Sequence, residues 1–337
     1  MGTVIPLKKE INNSYLELKN LVGDKLEDVS NLIKIKLASE INLIQKMTDH
    51  HLTSGGKRIR PLLTLATSKL CGYKDGSRDI NLSACVELIH SATLLHDDVI
   101  DNSELRRGVK TSNSVWGNQS SILVGDYLFS RCFELMVSDG SIEILKLLSS
   151  TSSKIAQGEV LQLEHKGEID VLEETYFNII NMKTAALFSA AARVGACITN
   201  KSKKEKDALE SYGKNIGLAF QIADDALDYY STQKIFGKEI GKDFFEGKAT
   251  LPLIIIFQKS NTEERIFLKE TFKKEKRNED DFSEVLALIN KYKAVQESFK
   301  KAEYFVNIAQ GALGIFEDSQ EKKILQKMTQ FSLNRSF

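Results

Sequence analysis

Residues 82–101 read Leu-Ser-Ala-Cys-Val-Glu-Leu-Ile-His-Ser-Ala-Thr-Leu-Leu-His-Asp-Asp-Val-Ile-Asp. Leu82, Val86, Ile89 and Thr93 follow i, i+4, i+7, i+11, which draws one apolar stripe along a helix. The stripe runs into Asp97-Asp98-Val99-Ile100-Asp101, and a near copy, Asp224-Asp225-Ala226-Leu227-Asp228, ends a second apolar stretch beginning Phe220-Gln221-Ile222-Ala223. On a helix, residues i and i+4 lie one above the other, so Asp97 shares a face with Asp101, and Asp224 with Asp228. Crowded carboxylates repel unless cations offset them. Hard oxygen ligands in pairs suit Mg²⁺, which is commonly held by one or two carboxylates and substrate phosphates. The pattern therefore predicts two helices, remote in the chain, facing each other across a magnesium-bound diphosphate.

The rest of the chain extends the helical reading. Segments 142–163, 175–198 and 209–230 repeat the helical period, with turns marked at Gly72, Gly140, Gly167 and Asn200. Among 337 residues there are three prolines and no Gly/Ser/Pro-rich linker, so one all-α domain spanning 1–337 is expected. The first 45 or so residues read as amphipathic helix that packs on the body or on a partner subunit. Segment 258–301 is dense in mixed charge and reads as solvated helices and loops. Asp280-Asp281-Phe282-Ser283-Glu284 resembles the acidic clusters but follows a basic run and Asn278, which points to a helix cap.

Composition narrows the function classes. Lys plus Arg and Asp plus Glu number 46 each, so no global basic field favours nucleic acid or an anionic membrane. The longest apolar run, 251–257, is far shorter than the ~20 residues of a membrane span. Four scattered cysteines and the lack of a signal peptide fit a reduced, cytoplasmic setting and no zinc site. Segment 241–249 imitates a P-loop but has five residues between its glycines and Ala249 where Ser or Thr is needed.

Diphosphates also require cations. Gly55-Gly56-Lys57-Arg58-Ile59-Arg60-Pro61 sets flexible backbone beside Lys57 and Arg60, and Leu105-Arg106-Arg107-Gly108 follows the first acidic cluster. The two adjacent arginines are able to address different phosphates. His90 lies two turns before Asp97 on nearly the same face and is able to donate to a phosphate. His96 reads as a packing or hydrogen-bonding group.

Taken together, Gly-Gly-Lys-Arg-Ile-Arg-Pro, His-Asp-Asp-Val-Ile-Asp with Leu-Arg-Arg-Gly, Lys183-Thr184, the 220–228 stretch and Gly237-Lys238-Glu239-Ile240-Gly241-Lys242-Asp243 resemble the trans-isoprenyl (polyprenyl) diphosphate synthase family. The motifs occur in family order across residues 55–252 and resemble most its long-chain, octaprenyl-type members, which make quinone side chains. The resemblance implies an antiparallel helical bundle around a deep central cavity (the isoprenoid synthase fold), a homodimer, and a reaction with three Mg²⁺. By the same resemblance, Asp97, Asp98 and Asp101 and Asp224, Asp225 and Asp228 serve the metal. Arg106, Lys183, Lys238 and Lys248 bind the allylic diphosphate; Lys57, Arg60, His90 and Arg107 bind isopentenyl diphosphate. Lys183, Thr184 and Gln221 lie near the developing allylic cation. At most peripheral membrane contact is expected, for product release.

Product length is expected to depend on the positions below the first cluster. Ala92 and Thr93 stand five and four residues before Asp97, and Ile89 lies deeper; short-chain relatives carry bulky aromatics at one or both of the nearer positions. Small residues here predict an open tunnel and a product longer than farnesyl; the residue that forms its floor is not legible in the sequence, and Phe129, Phe133 and Leu161 are candidates by helical position alone. The alternatives are a shorter-chain synthase, a noncatalytic subunit of a heteromeric prenyltransferase, and a terpene cyclase, which needs no isopentenyl site.

Overall fold

The computed structural model describes residues 7–53, 55–230, 240–331 and 333, with side chains from residue 13 onward. Among these residues the secondary structure is helical apart from one hairpin, Leu105–Arg106 paired with Val109–Lys110. All four turn positions expected from sequence adopt left-handed backbone: Gly72, Gly140 and Gly167 have φ of 84°, 73° and 87°, and Asn200 has 53°.

The helix Arg78–Ile100 contains neither Gly nor Pro, and most of its circumference is buried, as expected for a helix that is apolar nearly all round. A stripe of half-buried residues, Glu87, His90, Leu94 and Asp97, continues to the C-cap Asp101 on its less covered side. The helix Lys203–Leu227 begins in a capping box: Ser202 accepts from the Glu205 amide and Glu205 accepts from the Ser202 amide. That box starts the helix six residues before its apolar stripe.

Buried side chains gather in two clusters. Helices Ile59–Leu70, Arg78–Ile100, Asn118–Asp139 and Ala186–Ile198 supply the first, and helices Leu251–Lys259, Glu279–Lys291 and Ala294–Ala312 supply much of the second. Helix Lys203–Leu227 belongs to both, giving Leu209, Tyr212 and Ile216 to one and Leu218, Ile222 and Ala226 to the other. The N-terminal helices settle on the body. Leu18, Val29 and Ile33 are buried in the first cluster, and Lys25 Nζ bonds Asp79 Oδ2 at 2.6 Å.

The charge-rich segment forms surface helices whose inner faces bury Leu268, Phe272 and Val285. Asn278 and Asp281 make a capping box at the start of Glu279–Lys291, so this acidic cluster is a helix cap. The four cysteines are buried free thiols. Among the described residues, no helix is long and apolar enough to cross a membrane.

One detail departs from the sequence expectation. Segment 175–198 is interrupted by a π-helical turn, Asn181–Ala185, between Glu173–Ile180 and Ala186–Ile198. Ala92 and Ile89 are 0% exposed. Of the three positions assigned to product length, Thr93 is half-buried, and Ala92 and Ile89 are packed in the first buried cluster. Among the floor candidates, Phe133 is exposed on the surface, Phe129 packs on His96, and Leu161 borders an outer groove.

Candidate active site

Both acidic ladders occupy the last turns of their helices, where the aligned peptide dipoles place partial negative charge. Carboxylates there are doubly disfavoured, so the surrounding cations decide whether the arrangement is tolerable. Asp97 is pushed up to about 7 by burial and by Glu159, with Lys183 acting in the opposite direction. Burial also raises Asp101, but Lys248, whose Nζ bonds Asp101 Oδ1 at 2.9 Å, more than offsets it and holds the carboxyl below its ordinary value.

The middle aspartates face elsewhere. A helix turns 100° per residue, so Asp98 cannot share the face of Asp97. Its carboxylate instead accepts from Arg106, Nη2 to Oδ1 at 2.8 Å and Nε to Oδ1 at 3.0 Å. Asp225 is likewise occupied: Tyr176 Oη donates to Oδ2 and Gln221 Nε2 to Oδ1, both at 2.7 Å. Burial raises Asp225 to about 7 despite those two donors. The outer pairs, Asp97 with Asp101 and Asp224 with Asp228, stay half-buried on the open faces.

Segment 241–250 ties the two ladders to one end of the molecule. The Asp243 amide donates to Asp228 Oδ2 at 3.0 Å, Lys242 Nζ reaches Ser103 Oγ at 3.1 Å, and Lys248 bonds Asp101 and Glu246. Gly241 and Gly247, with φ of 77° and 76°, bracket the short helix Lys242–Glu246 that makes this geometry possible. Lys238 lies outside the described residues.

Lys183 and Thr184 both sit in the π turn, a rare feature that recurs at functional sites. Lys183 Nζ donates to Gln162 Oε1 at 2.6 Å and pairs with Glu159. Thr184 Oγ1 donates to Gln221 Oε1 at 2.8 Å. A Cβ on Gly158 would stand 2.7 Å from Met182 Cβ and 2.9 Å from the Lys183 nitrogen. The missing side chain therefore lets the helix Ile142–Glu164 press against the π turn and deliver Glu159 to Lys183.

The basic motifs converge beside the inner end of the same face. The two-residue turn of the hairpin is Arg107-Gly108, both left-handed at φ 54° and 78°, as tight hairpins require. This turn sends the neighbouring arginines apart, Arg106 back to Asp98 and Arg107 across to the Gly55 carbonyl. Gly56 leaves the room: a Cβ there would lie 2.7 Å from Arg107 Nη1. The Arg60 guanidinium lies 4.4 Å from the Phe188 ring centroid and the Lys57 ammonium 4.8 Å from that of Phe331.

His90 is held well below its ordinary value by burial and by Arg60, Arg106 and Arg107, and His51 is lowered to about 4 by burial and by Arg106 and Arg58. Both imidazoles are neutral donors and acceptors at neutral pH. Because the unfolded chain takes up protons near pH 6.5 and the folded histidines do not, stability falls as pH drops through that value. His51 is expected to remove on the order of 1 kcal/mol between pH 7.5 and 5.5, and His90 acts in the same direction. Urea unfolding of His51→Gln against the parent should show a shallower pH slope; an unchanged slope contradicts the neutral assignment.

His96 is a packing group, as expected. Its Nε2 lies 3.2 Å from the Ile122 carbonyl, its ring 6.0 Å from Phe129, and Gly125 is the residue that makes space for it. Glu159, Gln162 and Tyr176 were not singled out from sequence, and Asp243 entered only as the end of the 237–243 motif. Gly158 in the middle of a helix was the available signal for the first two; Tyr176 is an ordinary residue until the fold assembles it.

Among the described residues, no three carboxylate, imidazole or thiolate groups converge into a metal cage. Two outward-facing carboxylate pairs with oxygen-only donors nevertheless fit Mg²⁺, which completes its octahedron with water and substrate phosphate. The arrangement offers an anionic rim able to take metal-bound diphosphate and a separate cationic nest able to take a second anion.

Known proteins resemble this chain over nearly its whole length. The polyprenyl synthetase family profile matches residues 41–289. Octaprenyl diphosphate synthase of Haemophilus influenzae is 34% identical over 98% of this chain and 100% of its own length. An all-trans-nonaprenyl-diphosphate synthase of Rhodobacter capsulatus is 36% identical over 89% of this chain and 91% of its own. The crystal structure of a Caulobacter crescentus polyprenyl synthase, complexed with calcium and isoprenyl diphosphate, superposes with a TM-score of 0.91 at 39% identity, covering 95% of this chain and 98% of that one. With its all-α isoprenoid synthase fold, its paired acidic ladders and matches of this extent, the chain is a prenyltransferase belonging to the polyprenyl synthetase family.

Proposed function

We propose that this chain is a Mg²⁺-dependent trans-polyprenyl diphosphate synthase that extends an allylic diphosphate with isopentenyl diphosphate to an octaprenyl product for quinone side chains. The observation that carries this reading is the placement of two carboxylate ladders at one end of the molecule with a separate cationic nest beside them. Two anionic substrates then have two distinct seats. The helix shared by both buried clusters supports reading 1–337 as one domain. A homodimer in the cytoplasm completes the proposal.

Asp97 and Asp101 would hold Mg²⁺ from one side and Asp224 and Asp228 from the other, up to three ions in all. When bound, such ions neutralise charge on the diphosphate leaving group and ease C–O ionisation. Asp98 orients Arg106 through a two-toothed grip, and Arg106 with Lys183, Lys248 and Lys238 binds the allylic diphosphate. Asp225 and Tyr176 act together on Gln221: with its amide N–H given to Asp225, its carbonyl is turned to Thr184, and these dipoles stabilise the developing allylic cation. Lys57, Arg60, His90 and Arg107 hold isopentenyl diphosphate so that its double bond reaches that cation. The proton lost after C–C bond formation goes to the departing pyrophosphate. Leu94 and the apolar helices below the rim keep water from the cation.

A shorter product, up to geranylgeranyl, is the second reading, favoured by the complete burial of Ala92 and Ile89. The deciding experiment is chromatographic sizing of product from geranyl or farnesyl diphosphate with labelled isopentenyl diphosphate and Mg²⁺. Eight-unit chains are expected. Products that stop at four units establish the shorter reading, and no incorporation by the purified chain refutes synthase activity in favour of a noncatalytic subunit.

A further inference from the structure

We propose that Glu87 and Arg58 form a positioning pair that sets the arginines of the cationic nest for an incoming diphosphate. The proposal rests on the reading of that nest as the isopentenyl diphosphate seat, and it gives roles to two residues outside the acidic ladders and the substrate-binding set.

Glu87 is a charged residue inside an otherwise apolar run, Val86-Glu87-Leu88-Ile89, on the half-buried stripe of helix Arg78–Ile100 one turn before His90. Its side chain is only 12% exposed. A carboxylate so placed is costly unless paired. Its Oε1 stands 3.3 Å from Arg58 Nη1, an ion pair without good hydrogen-bond alignment. Burial raises the Glu87 carboxyl, and Arg58, Arg60 and Arg107 act against that rise. Arg58 is thus paired with Glu87, while Arg60 and Arg107 lie near enough for their charge to favour the carboxylate.

The backbone supports the same conclusion. Arg58 has φ of 50°, a left-handed conformation at a residue with a side chain, immediately before helix Ile59–Leu70. Such geometry costs free energy of order 1 kcal/mol and persists where surrounding contacts demand it. Here the turn aims Arg58 inward at Glu87, between Lys57, which stays exposed, and Arg60, which lies over Phe188. Arg106 has its own carboxylate in Asp98. Glu87 does for Arg58 what Asp98 does for Arg106: it fixes the direction of the guanidinium, and its charge offsets the repulsion among the neighbouring arginines, so that the diphosphate meets an organised set of donors.

The test measures both substrates on one variant. Glu87→Gln keeps size and shape and removes the anion. KM for isopentenyl diphosphate is expected to rise about tenfold, the factor carried by one charge-assisted hydrogen bond, while KM for the allylic substrate stays within about twofold. Arg58→Met should give the same split, and the double variant should add little to either single one, since the two act as a unit. Calorimetric binding of isopentenyl diphosphate without metal or allylic substrate reads the nest independently of turnover. Parent protein that binds but does not elongate overturns the proposed function and leaves the pair standing. An unchanged or lowered KM in Glu87→Gln, with the urea midpoint retained, overturns the pair; if that variant does not fold, an unchanged KM in Arg58→Met does so.

Discussion

Asparagine in place of Asp97 or of Asp224 is expected to lower kcat/KM about 1000-fold, the upper range for removing one preorganised charge from a transition state. Each residue belongs to the outer pair of its ladder, half-buried and facing the open end. The same substitutions should not weaken the fold. Removing a carboxylate from the C-terminal turn of a helix relieves repulsion with the dipole, a change worth a few tenths of a kcal/mol in the stabilising direction. Activity and stability are thus expected to move in opposite directions, which separates this outcome from misfolding. Steady-state incorporation of labelled isopentenyl diphosphate together with urea unfolding measures both; a variant keeping more than a tenth of parental activity would remove Asp97 or Asp224 from the metal site. Asp98→Asn should behave differently, because Asp98 acts on Arg106. Its principal effect is expected in the allylic KM.

The second large effect concerns Ala92→Phe. Ala92 is fully buried next to the half-buried Thr93, with Leu95 and Leu88 packed in the same cluster. A benzyl group has no room in that core, so it must displace neighbours at about 1–3 kcal/mol or turn toward the half-buried side where Thr93 lies. Either response obstructs the path of a growing chain. Products are expected to collapse to farnesyl or geranylgeranyl length, with the first condensations retained. Long products from a folded Ala92→Phe protein would show that the chain grows along another route.

How legible was all this? The ladders were readable because i and i+4 fix a shared face regardless of the rest of the fold, and the four turns because Gly and Asn mark left-handed backbone. The same helical geometry explains why Asp98 and Asp225, which the resemblance counted with the metal site, turn away from their neighbours. Product-length residues were less accessible. Alanine at position 92 says that a side chain is small but not whether the vacated volume stays open, and here the surrounding helices close on it. Arg58 and Glu87 were hidden for a different reason: charged residues are common on helices and loops, and only the fold shows these two meeting in a buried place. Lys183 and Thr184 were identified by resemblance, but nothing in Asn181-Met182-Lys183-Thr184-Ala185 announces an irregular turn.

That turn has a consequence for how the molecule is assembled. Residues before it, Tyr176 and Ile180, join one buried cluster, and residues after it, from Leu187 to Ile198, join the other. A wider turn changes the rotational phase of whatever follows, so a nearly continuous rod is able to serve as a shared beam between two compartments that an uninterrupted rod would meet at the wrong angle. The splice falls at Lys183 and Thr184. An architectural compromise between two interiors thus coincides with the spot where bond breaking is proposed, and shortening the rod by one residue to make it regular would disturb scaffold and chemistry together.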